Sequence, residues 1–349
     1  MGRGTRRRGA ALAGLAFCVL TGAARAEPVE LRLFHAASPK SPAHTLFLKP
    51  WAQEIKARSK GRLEIVVEPR PSAETPDLLA ALDDGRADLV WTAPGSVPGR
   101  YPASEVFELP FMAGSAEVAS QAAEESLRGP LASEFADLHV ILLHAGAPLW
   151  LHGAGTPMRR LEDLRGKTLY APTSRIRAAL AAWGAVPVTL AGPAEAAAAL
   201  ADGRIDGALL SFGEALPAGV AASARFHAAP GRPPGLFVTL YMLAMNKARY
   251  EALPDALKRV IDDSAGPALA DRVGRTFDAV EKLDLKRGRV AGQVFYRLGD
   301  RELRRWRAAA QPAIDDWIAE RDAAGEDGAA LLAAARAAIA RFEVLRETE

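Results

Sequence analysis

The chain is 349 residues long, with 49% hydrophobic residues, 25% charged residues and a formal net charge of +2. This length suits two lobes rather than one core, and no acidic or basic tail is present. Five of the 44 basic residues and none of the 42 acidic residues lie in residues 1–26, so the remainder has a formal charge of −3 and no nucleic-acid partner is expected. The only cysteine, Cys18, lies in the same segment, which excludes disulfides and thiol chemistry from the remainder.

Residues 1–26 have the three parts of a signal peptide. MGRGTRRRGA is basic, ALAGLAFCVLTGA is apolar, and Ala24 to Ala26 form an A-x-A cleavage signal. We therefore expect cleavage after about Ala26 and a periplasmic mature protein, while the export route (Sec or twin-arginine) stays open. No later segment is apolar over the length of a bilayer, so membrane insertion of the mature chain is not expected.

The first half of the mature chain alternates between strand and helix patterns. VELRLFHAA predicts a strand, and a helix follows from the Ser41-Pro42 cap to Gly61. RLEIVVEPRP predicts a second strand, Thr75-Pro76 begins a helix, and RADLVWTAP predicts a third strand. This alternation is typical of an α/β lobe with parallel strands.

A short sequence repeat suggests a second lobe of the same kind. AALDDGRAD (80–88) matches AALADGRID (198–206), and in each copy a helix ends at a glycine before an apolar strand. Internal duplication is the favoured explanation, although tertiary packing alone can produce similar helix–glycine–strand units. Two similar α/β lobes that face one another are the simplest interpretation.

The remaining elements complete a two-lobed prediction. HAAPGRPPG (227–235) predicts a connection, LFVTLYMLAMNK predicts a buried strand that returns to the first lobe, and the chain is mostly helical after it. The fold class is therefore α/β, a two-lobed periplasmic binding protein-like fold with hinge-linked lobes and a helical C-terminal region. Lobe I should comprise 27–148 and approximately 238–285, and lobe II 149–237 and approximately 286–349. An apolar stripe in the last helix favours packing on the chain itself over a coiled-coil partner.

The sequence contains no recognisable catalytic motif. It has no G-x-S-x-G elbow, and its six histidines lack the close spacing of metal ligands. We therefore expect a protein without a cofactor or metal that is not an enzyme. An active site assembled from distant residues stays open.

Aromatic and polar residues follow the predicted strands, where ligands of open α/β folds bind. Such residues suggest a cleft with aromatic walls and a few polar groups, although strand aromatics taken singly are more often core residues. The candidate ligand-binding residues are His35, Trp91, Thr92, Trp150, His152, Tyr170, Thr173, Arg175, Ser211 and Phe212.

Several long stretches resemble the substrate-binding proteins of TRAP (tripartite ATP-independent periplasmic) transporters, of the dicarboxylate-receptor type. The resemblance runs from about residue 30 to about residue 265 and is strongest in VWTAPGSVPGRYPASEVFELPFM (90–112) and LEDLRGK (161–167). It implies two lobes that close over a small organic anion, and delivery of that anion to a TRAP membrane permease. A ligand that touches both lobes only in the closed form favours closure.

The chain departs from this family where the ligand is usually held. Many members bind an organic-acid carboxylate with an arginine at the position of Tyr170, so that clamp does not carry over. Arg175 is the closest replacement, because a carboxylate there would meet both a guanidinium and the first N–H groups of a helix. The alternative is that Arg175 pairs with a carboxylate of the protein.

We therefore expect an extracytoplasmic receptor for a small organic anion, with an apolar or aromatic part of the ligand held by the aromatic residues. Two other functions stay open at this point. The same fold serves as the ligand-binding subunit of membrane sensors, and a periplasmic enzyme with a dispersed active site is the less favoured alternative.

Overall fold

The structure is a computed structural model that describes residues 1–2, 27–70 and 75–348. The predicted signal peptide therefore lies outside the described residues, apart from its first two. Within the described part of the chain, no helix is both long and apolar enough to cross a membrane.

The described residues form eleven strands in two sheets. In chain order the strands are β1 (Val29–His35), β2 (Leu63–Pro69), β3 (Leu89–Thr92), β4 (Leu138–Ala145), β5 (Trp150–Gly153), β6 (Thr168–Tyr170), β7 (Val186–Val188), β8 (Gly207–Leu210), β9 (Phe226–Pro230), β10 (Leu240–Asn246) and β11 (Val294–Leu298).

The same residues form twelve α-helices: α1 (Lys49–Arg58), α2 (Thr75–Asp83), α3 (Ala116–Leu127), α4 (Ser174–Ala182), α5 (Pro193–Ala201), α6 (Phe212–Ala218), α7 (Val220–Ser223), α8 (Lys247–Glu251), α9 (Asp255–Asp262), α10 (Pro267–Val290), α11 (Asp300–Ala323) and α12 (Gly328–Thr348). Short 3₁₀ turns lie at Pro94–Ser96, Ser104–Glu108 and Leu161–Leu164. The helix predicted from residue 41 begins with a π-helical segment, Ala43–Leu48, that continues into α1.

The two sheets share one strand arrangement. The first has the order β2-β1-β3-β10-β4, and the second has the order β7-β6-β8-β5-β9-β11. In each sheet three parallel strands are followed by a strand that runs antiparallel to both of its neighbours, β10 in the first sheet and β5 in the second. The predicted fold class, a two-lobed α/β protein, is confirmed.

Two chain segments cross between the sheets side by side. Residues 146–149 lead from β4 to β5, and residues 236–239 lead into β10, which belongs to the first sheet as predicted. The Gly146 N–H donates to the Thr239 carbonyl at 2.9 Å, and the Leu149 N–H donates to the Phe237 carbonyl at 2.9 Å. Helix α10 contacts α3 and β4 and also α6, and α11 places Trp317 in one core with α3 residues and Trp306 in another with α4 residues, so both helices also link the two lobes. The exact lobe boundaries stay a prediction.

The sequence repeat corresponds to a repeated structure. Gly85 and Gly203 adopt φ values of 75° and 70°, a left-handed conformation that ends each helix without steric cost. Asp88 and Asp206, which follow them, make matching contacts. Each donates its N–H to a carbonyl of a neighbouring strand and accepts that residue's N–H with Oδ2, from Arg32 at 2.7 Å and from Thr168 at 2.8 Å. These matching contacts support internal duplication.

The last helix packs on the body of the protein. Ala335 and Ala338 of the predicted apolar stripe are buried against α3, and Leu331 and Phe342 flank that core, while Leu345 is exposed. The stripe therefore contributes to the core of the first lobe, as favoured from the sequence.

Candidate ligand-binding site

A cavity of about 570 Å³ lies between the two sheets. The ends of β3, β6 and β8 reach it, together with β10, α10 and residues 189–195, which lead into the first turn of α5. This position follows from the topology, because the carboxyl ends of the parallel strands in both sheets point to the space between them. The volume lies within the range of small-molecule sites.

The structure brings four of the ten predicted residues to this cavity: Trp91, Thr92, Tyr170 and Ser211. The other six do not line it: His35, Trp150, His152, Thr173, Arg175 and Phe212. Both groups lie at or near strand ends. A strand end therefore located the site, but it did not determine which side chains face it.

Trp91 is held at the cavity wall by a buried imidazole. Its Nε1–H donates to Nε2 of His144 at 2.9 Å. Burial lowers the pKa of His144 to about 3, so the ring is neutral and can accept this bond. On the other side the indole stacks on Tyr241, with ring centroids 4.5 Å apart and planes at 13°. Trp91 and Tyr241 thus form a fixed aromatic surface.

The remaining aromatic candidates of the second sheet lie behind the cavity wall. Phe212 and His152 are fully buried, and Trp150 meets Phe212 edge to face at 5.6 Å. His152 contacts His227 through their Nδ1 atoms at 2.8 Å and faces the Leu210 carbonyl with Nε2 at 3.0 Å. Burial and then the neighbouring imidazole lower the pKa of His152 to about 3. These contacts describe a packed core rather than a ligand surface.

His35 and Thr173 are also buried outside the cavity. His35 contacts His44 across 2.9 Å, and burial lowers its pKa to about 4. Thr173 is the N-cap residue of α4, but its side chain does not cap the helix. It lies instead beside Gly95, close to the buried carboxyl group of Glu108.

Arg175 forms ion pairs within the protein. Its guanidinium donates to Glu105, which is buried, and to Glu320 of α11. The hydroxyl oxygen of the adjacent Ser174 lies 2.7 Å from a carboxylate oxygen of Glu105 and 2.9 Å from the Gly95 carbonyl oxygen, so its single proton has two acceptors within reach. A cation at the start of α4 is therefore balanced by carboxylates from distant segments, which corresponds to the alternative of protein pairing.

Arg177 is the cation that lines the cavity, and sequence analysis did not select it. One of its donors reaches the Ala171 carbonyl at 3.2 Å, and among the described residues it takes part in no ion pair. Burial lowers its pKa, although the group remains cationic at neutral pH. Successive residues of a helix are about 100° apart, so Arg175 and Arg177 lie on nearly opposite sides of α4. Helical phase is the signal that separates them.

A carboxylate beside the aromatic surface, Glu214, links the two lobes. Glu214 of α6 accepts a hydrogen bond from the Tyr241 hydroxyl, and its Oε2 accepts from the Ser211 hydroxyl at 2.8 Å and the Ser211 N–H at 3.3 Å. Tyr170 is 4% exposed and lines the cavity, yet its hydroxyl has no hydrogen-bond partner among the residues described. Tyr241 and Glu214 were not among the candidates from the sequence, because their immediate neighbours in LYMLAM and FGEALPA are apolar or small.

A buried carboxyl group, Glu281 of α10, completes the wall. Its Oε2 accepts the Gly213 N–H at 3.2 Å, at the start of α6. Burial raises its pKa to about 8, so the group is mostly neutral at pH 7. No group of three or more metal-ligating side chains occurs within the described residues.

Comparison with known proteins gives the family. The model of the bacterial extracellular solute-binding protein family 7 matches residues 33–321. The chain belongs to this family. The resemblance to TRAP substrate-binding proteins that the sequence indicated is thereby confirmed.

Solved structures of family members superpose closely on this solute-binding protein. A TRAP solute-binding protein from a marine metagenome, specific for aromatic acid ligands and crystallised with 3-hydroxybenzoate, is 34% identical, with a TM-score of 0.86 over 90% of this chain and 99% of that chain. A TRAP solute-binding protein from Rhodoferax ferrireducens, in complex with copurified benzoate, is 31% identical, with a TM-score of 0.85 over 91% of this chain and 99% of that one.

A curated relative is also similar over most of its length. The protein named outer membrane transporter protein TsaT, from Comamonas testosteroni, is 24% identical over 308 residues, which are 88% of this chain and 90% of the relative. These relatives are binding and transport proteins rather than enzymes.

Proposed function

We propose that this protein is a periplasmic receptor that binds an aromatic monocarboxylate in the cavity between its lobes and delivers it to a TRAP-type permease. One observation carries the proposal: a guanidinium without an ion-pair partner among the described residues, Arg177, lines a cavity that has a fixed aromatic surface. The ligands of the two solved relatives described above, 3-hydroxybenzoate and benzoate, have the same two chemical parts.

In this proposal Arg177 and Tyr170 bind the carboxylate. The guanidinium uses one donor on Ala171, so further donors remain for a ligand. Burial raises the pKa of the unpartnered Tyr170 hydroxyl, so it is a neutral donor, and it lines the same cavity as Arg177. A carboxylate there would satisfy both groups, and a charge-assisted hydrogen bond contributes about 1.5–3 kcal/mol. Tyr170 thus keeps a role at the position where many relatives have arginine.

The aromatic part of the ligand would lie against Trp91 and Tyr241. Hydrogen bonds hold both rings in place, that of Trp91 to His144 and that of Tyr241 to Glu214. A pre-formed aromatic surface loses little conformational entropy when a ligand binds, which favours affinity. Phe277 and Val280 of α10 supply further apolar contact.

Export, lobe closure and permease docking are further parts of the proposal. The signal-peptide pattern of residues 1–26 supports export, and family membership supports a permease partner. Because both lobes contribute to the cavity wall, a bound ligand would favour the form in which they are together. Ion-gradient-driven uptake of a radiolabelled aromatic acid by cells that carry the protein and its permease tests this part.

Thermal denaturation with a ligand panel tests the binding proposal. A ligand at 100 times its dissociation constant adds about 2.7 kcal/mol of stability. Benzoate and the hydroxybenzoates should raise the melting temperature, whereas benzamide and cyclohexanol, which lack a carboxylate, and succinate, which lacks a ring, should not. Stabilisation by succinate alone, or by a neutral sugar alone, would contradict the proposal.

A further inference from the structure

The charges of the cavity wall are unevenly divided. Of the described residues that line it, Arg177 is the only cation, whereas Glu195, Glu214 and Glu281 bring carboxyl groups. Glu195 already accepts the Ala191 N–H at 2.7 Å, and Glu281 caps α6. A ligand with one carboxylate can therefore be neutralised at Arg177, but a second carboxylate finds no cation in this wall.

Glu214 is held in a fixed position. Its Oε2 receives both the N–H and the hydroxyl of Ser211, and its Oε1 receives the Tyr241 hydroxyl. A carboxylate has about four acceptor positions, so three are used and one position on Oε1 remains. Since Glu214 lines the cavity, that position is available to a donor on a ligand.

The neighbourhood of Glu214 matches a ligand already anchored by its carboxylate. Glu214 accepts the hydroxyl hydrogen bond of Tyr241, one of the two rings of the aromatic surface, and it lines the same cavity as Arg177. A ligand ring that lies against Tyr241, with its carboxylate at Arg177, therefore has part of its edge near Glu214. A hydroxyl or amino group on that edge would donate to Glu214, while a methoxy group would not, and a carboxylate would be repelled.

We propose that Glu214 is a specificity-determining residue that selects an aromatic monocarboxylate with a hydrogen-bond-donating ring substituent and rejects dicarboxylates. This inference rests on the proposed function above. It assigns the ring edge to Glu214 and the carboxylate to Arg177. Because Tyr241 belongs to the first sheet and Glu214 follows the second, the selecting group is positioned by contact between the lobes.

Calorimetry with matched ligands tests the inference on the unaltered protein. The series is benzoate, the hydroxybenzoate isomer that binds most tightly, and the methoxybenzoate and benzenedicarboxylate substituted at the same ring position. We expect the hydroxy acid to bind at least tenfold more tightly than benzoate, the methoxy acid no more tightly, and the diacid at least tenfold more weakly. If benzoate and all hydroxybenzoates bind equally, this inference fails and the proposed function stands. If none of them binds, the proposed function fails too.

Three variants distinguish a change in ligand selectivity from a loss of affinity for all ligands. Glu214→Gln should reduce the hydroxybenzoate-to-benzoate affinity ratio at least fivefold and improve diacid binding, because an amide is a weaker acceptor and does not repel. Glu195→Gln, a matched control on the same wall, should leave the ratio unchanged. Tyr241→Phe should weaken both ligands by a similar factor. An unchanged ratio in Glu214→Gln would overturn the inference.

Discussion

The two walls of the cavity differ in chemistry although they belong to lobes of the same topology. The strands of the first sheet bring Trp91, Thr92 and Tyr241 to it, a neutral wall without a charged side chain, and α10 adds Glu281, whose raised pKa keeps it mostly neutral. Helices α4, α5 and α6 of the second lobe bring Arg177, Glu195 and Glu214, which form a charged wall. The two lobes share the scaffold, including the matched Asp88 and Asp206 contacts described above, but they differ in the side chains at the strand ends.

This difference separates two tasks. The charged wall can orient a ligand by its carboxylate before the lobes come together, whereas the neutral wall adds aromatic area only once it is close. Substitutions on the charged wall should therefore change which ligands bind. Substitutions on the neutral wall should change how tightly all aromatic ligands bind.

The largest expected effect comes from the charged wall. Arg177→Ala should lower the affinity for benzoate about 10- to 150-fold, which corresponds to the about 1.5–3 kcal/mol of one charge-assisted hydrogen bond. It should hardly change the weak binding of benzamide, which brings no charge. Calorimetry with both ligands measures this, and an equal loss for both would show that Arg177 does not bind the carboxylate.

A smaller effect is expected from the neutral wall. Trp91→Leu should weaken benzoate about 2- to 13-fold, because an aromatic pair contributes about 0.5–1.5 kcal/mol beyond its buried area. The ratio of benzoate to benzamide affinity should stay as in the unaltered protein. A changed ratio in the same titrations would contradict the separation of tasks.

Arg175, two residues before Arg177, provides a test outside both walls. Arg175→Ala should alter benzoate affinity less than about threefold, since the residue does not line the cavity. It should instead lower the melting temperature by several degrees, because it leaves the buried Glu105 without its cation, and breaking a buried pair costs about 3–5 kcal/mol. A loss of affinity as large as that of Arg177→Ala would reassign the ligand to Arg175.

The smallest effect on binding is expected for Glu108, which contacts Leu240 at the start of β10 beside the hinge. Its substitution should change the stability of the protein instead. Burial raises the pKa of Glu108 to about 8, above its ordinary value of 4.5, and its Oε1 accepts the Leu240 N–H at 2.9 Å. The folded state therefore holds this proton more tightly than the unfolded state does. The free energy of unfolding should fall as the pH rises from 4.5 to about 8, and this group should cause no further change above that pH. Glu108→Gln keeps the acceptor and should stabilise the protein more at pH 8 than at pH 5. Melting curves that differ equally at both pH values would contradict this.

The sequence predicted the scaffold well because its signals are local. The helix–glycine–strand repeat, the strand ends at Trp91 and Ser211, and the family motifs can be read from neighbouring residues. The choice between Arg175 and Arg177 depends on Glu105 and Glu320, which lie 70 and 145 residues away in the chain. No local pattern contains that information.

The misplaced aromatic candidates have a similar explanation. Phe212 lies just beyond the end of β8, and Trp91 is the last residue but one of β3, but Phe212 is the first residue of α6 and turns into the core. Tyr241 faces the cavity from the strand LYMLAMN, in which the only other polar residue is the last one, so its sequence predicted only burial. In both cases the direction of a single side chain decides, and it is set by tertiary packing.

The binding pose itself is the most direct test of this account. A crystal structure of the protein with 3-hydroxybenzoate should place the ligand carboxylate within hydrogen-bond distance of the Arg177 guanidinium and the Tyr170 hydroxyl. The ring should lie against Trp91 and Tyr241, with its hydroxyl directed to Glu214. A carboxylate bound at Arg175, or at residues 189–195 away from Arg177, would contradict the division of the cavity into a charged wall and a neutral wall.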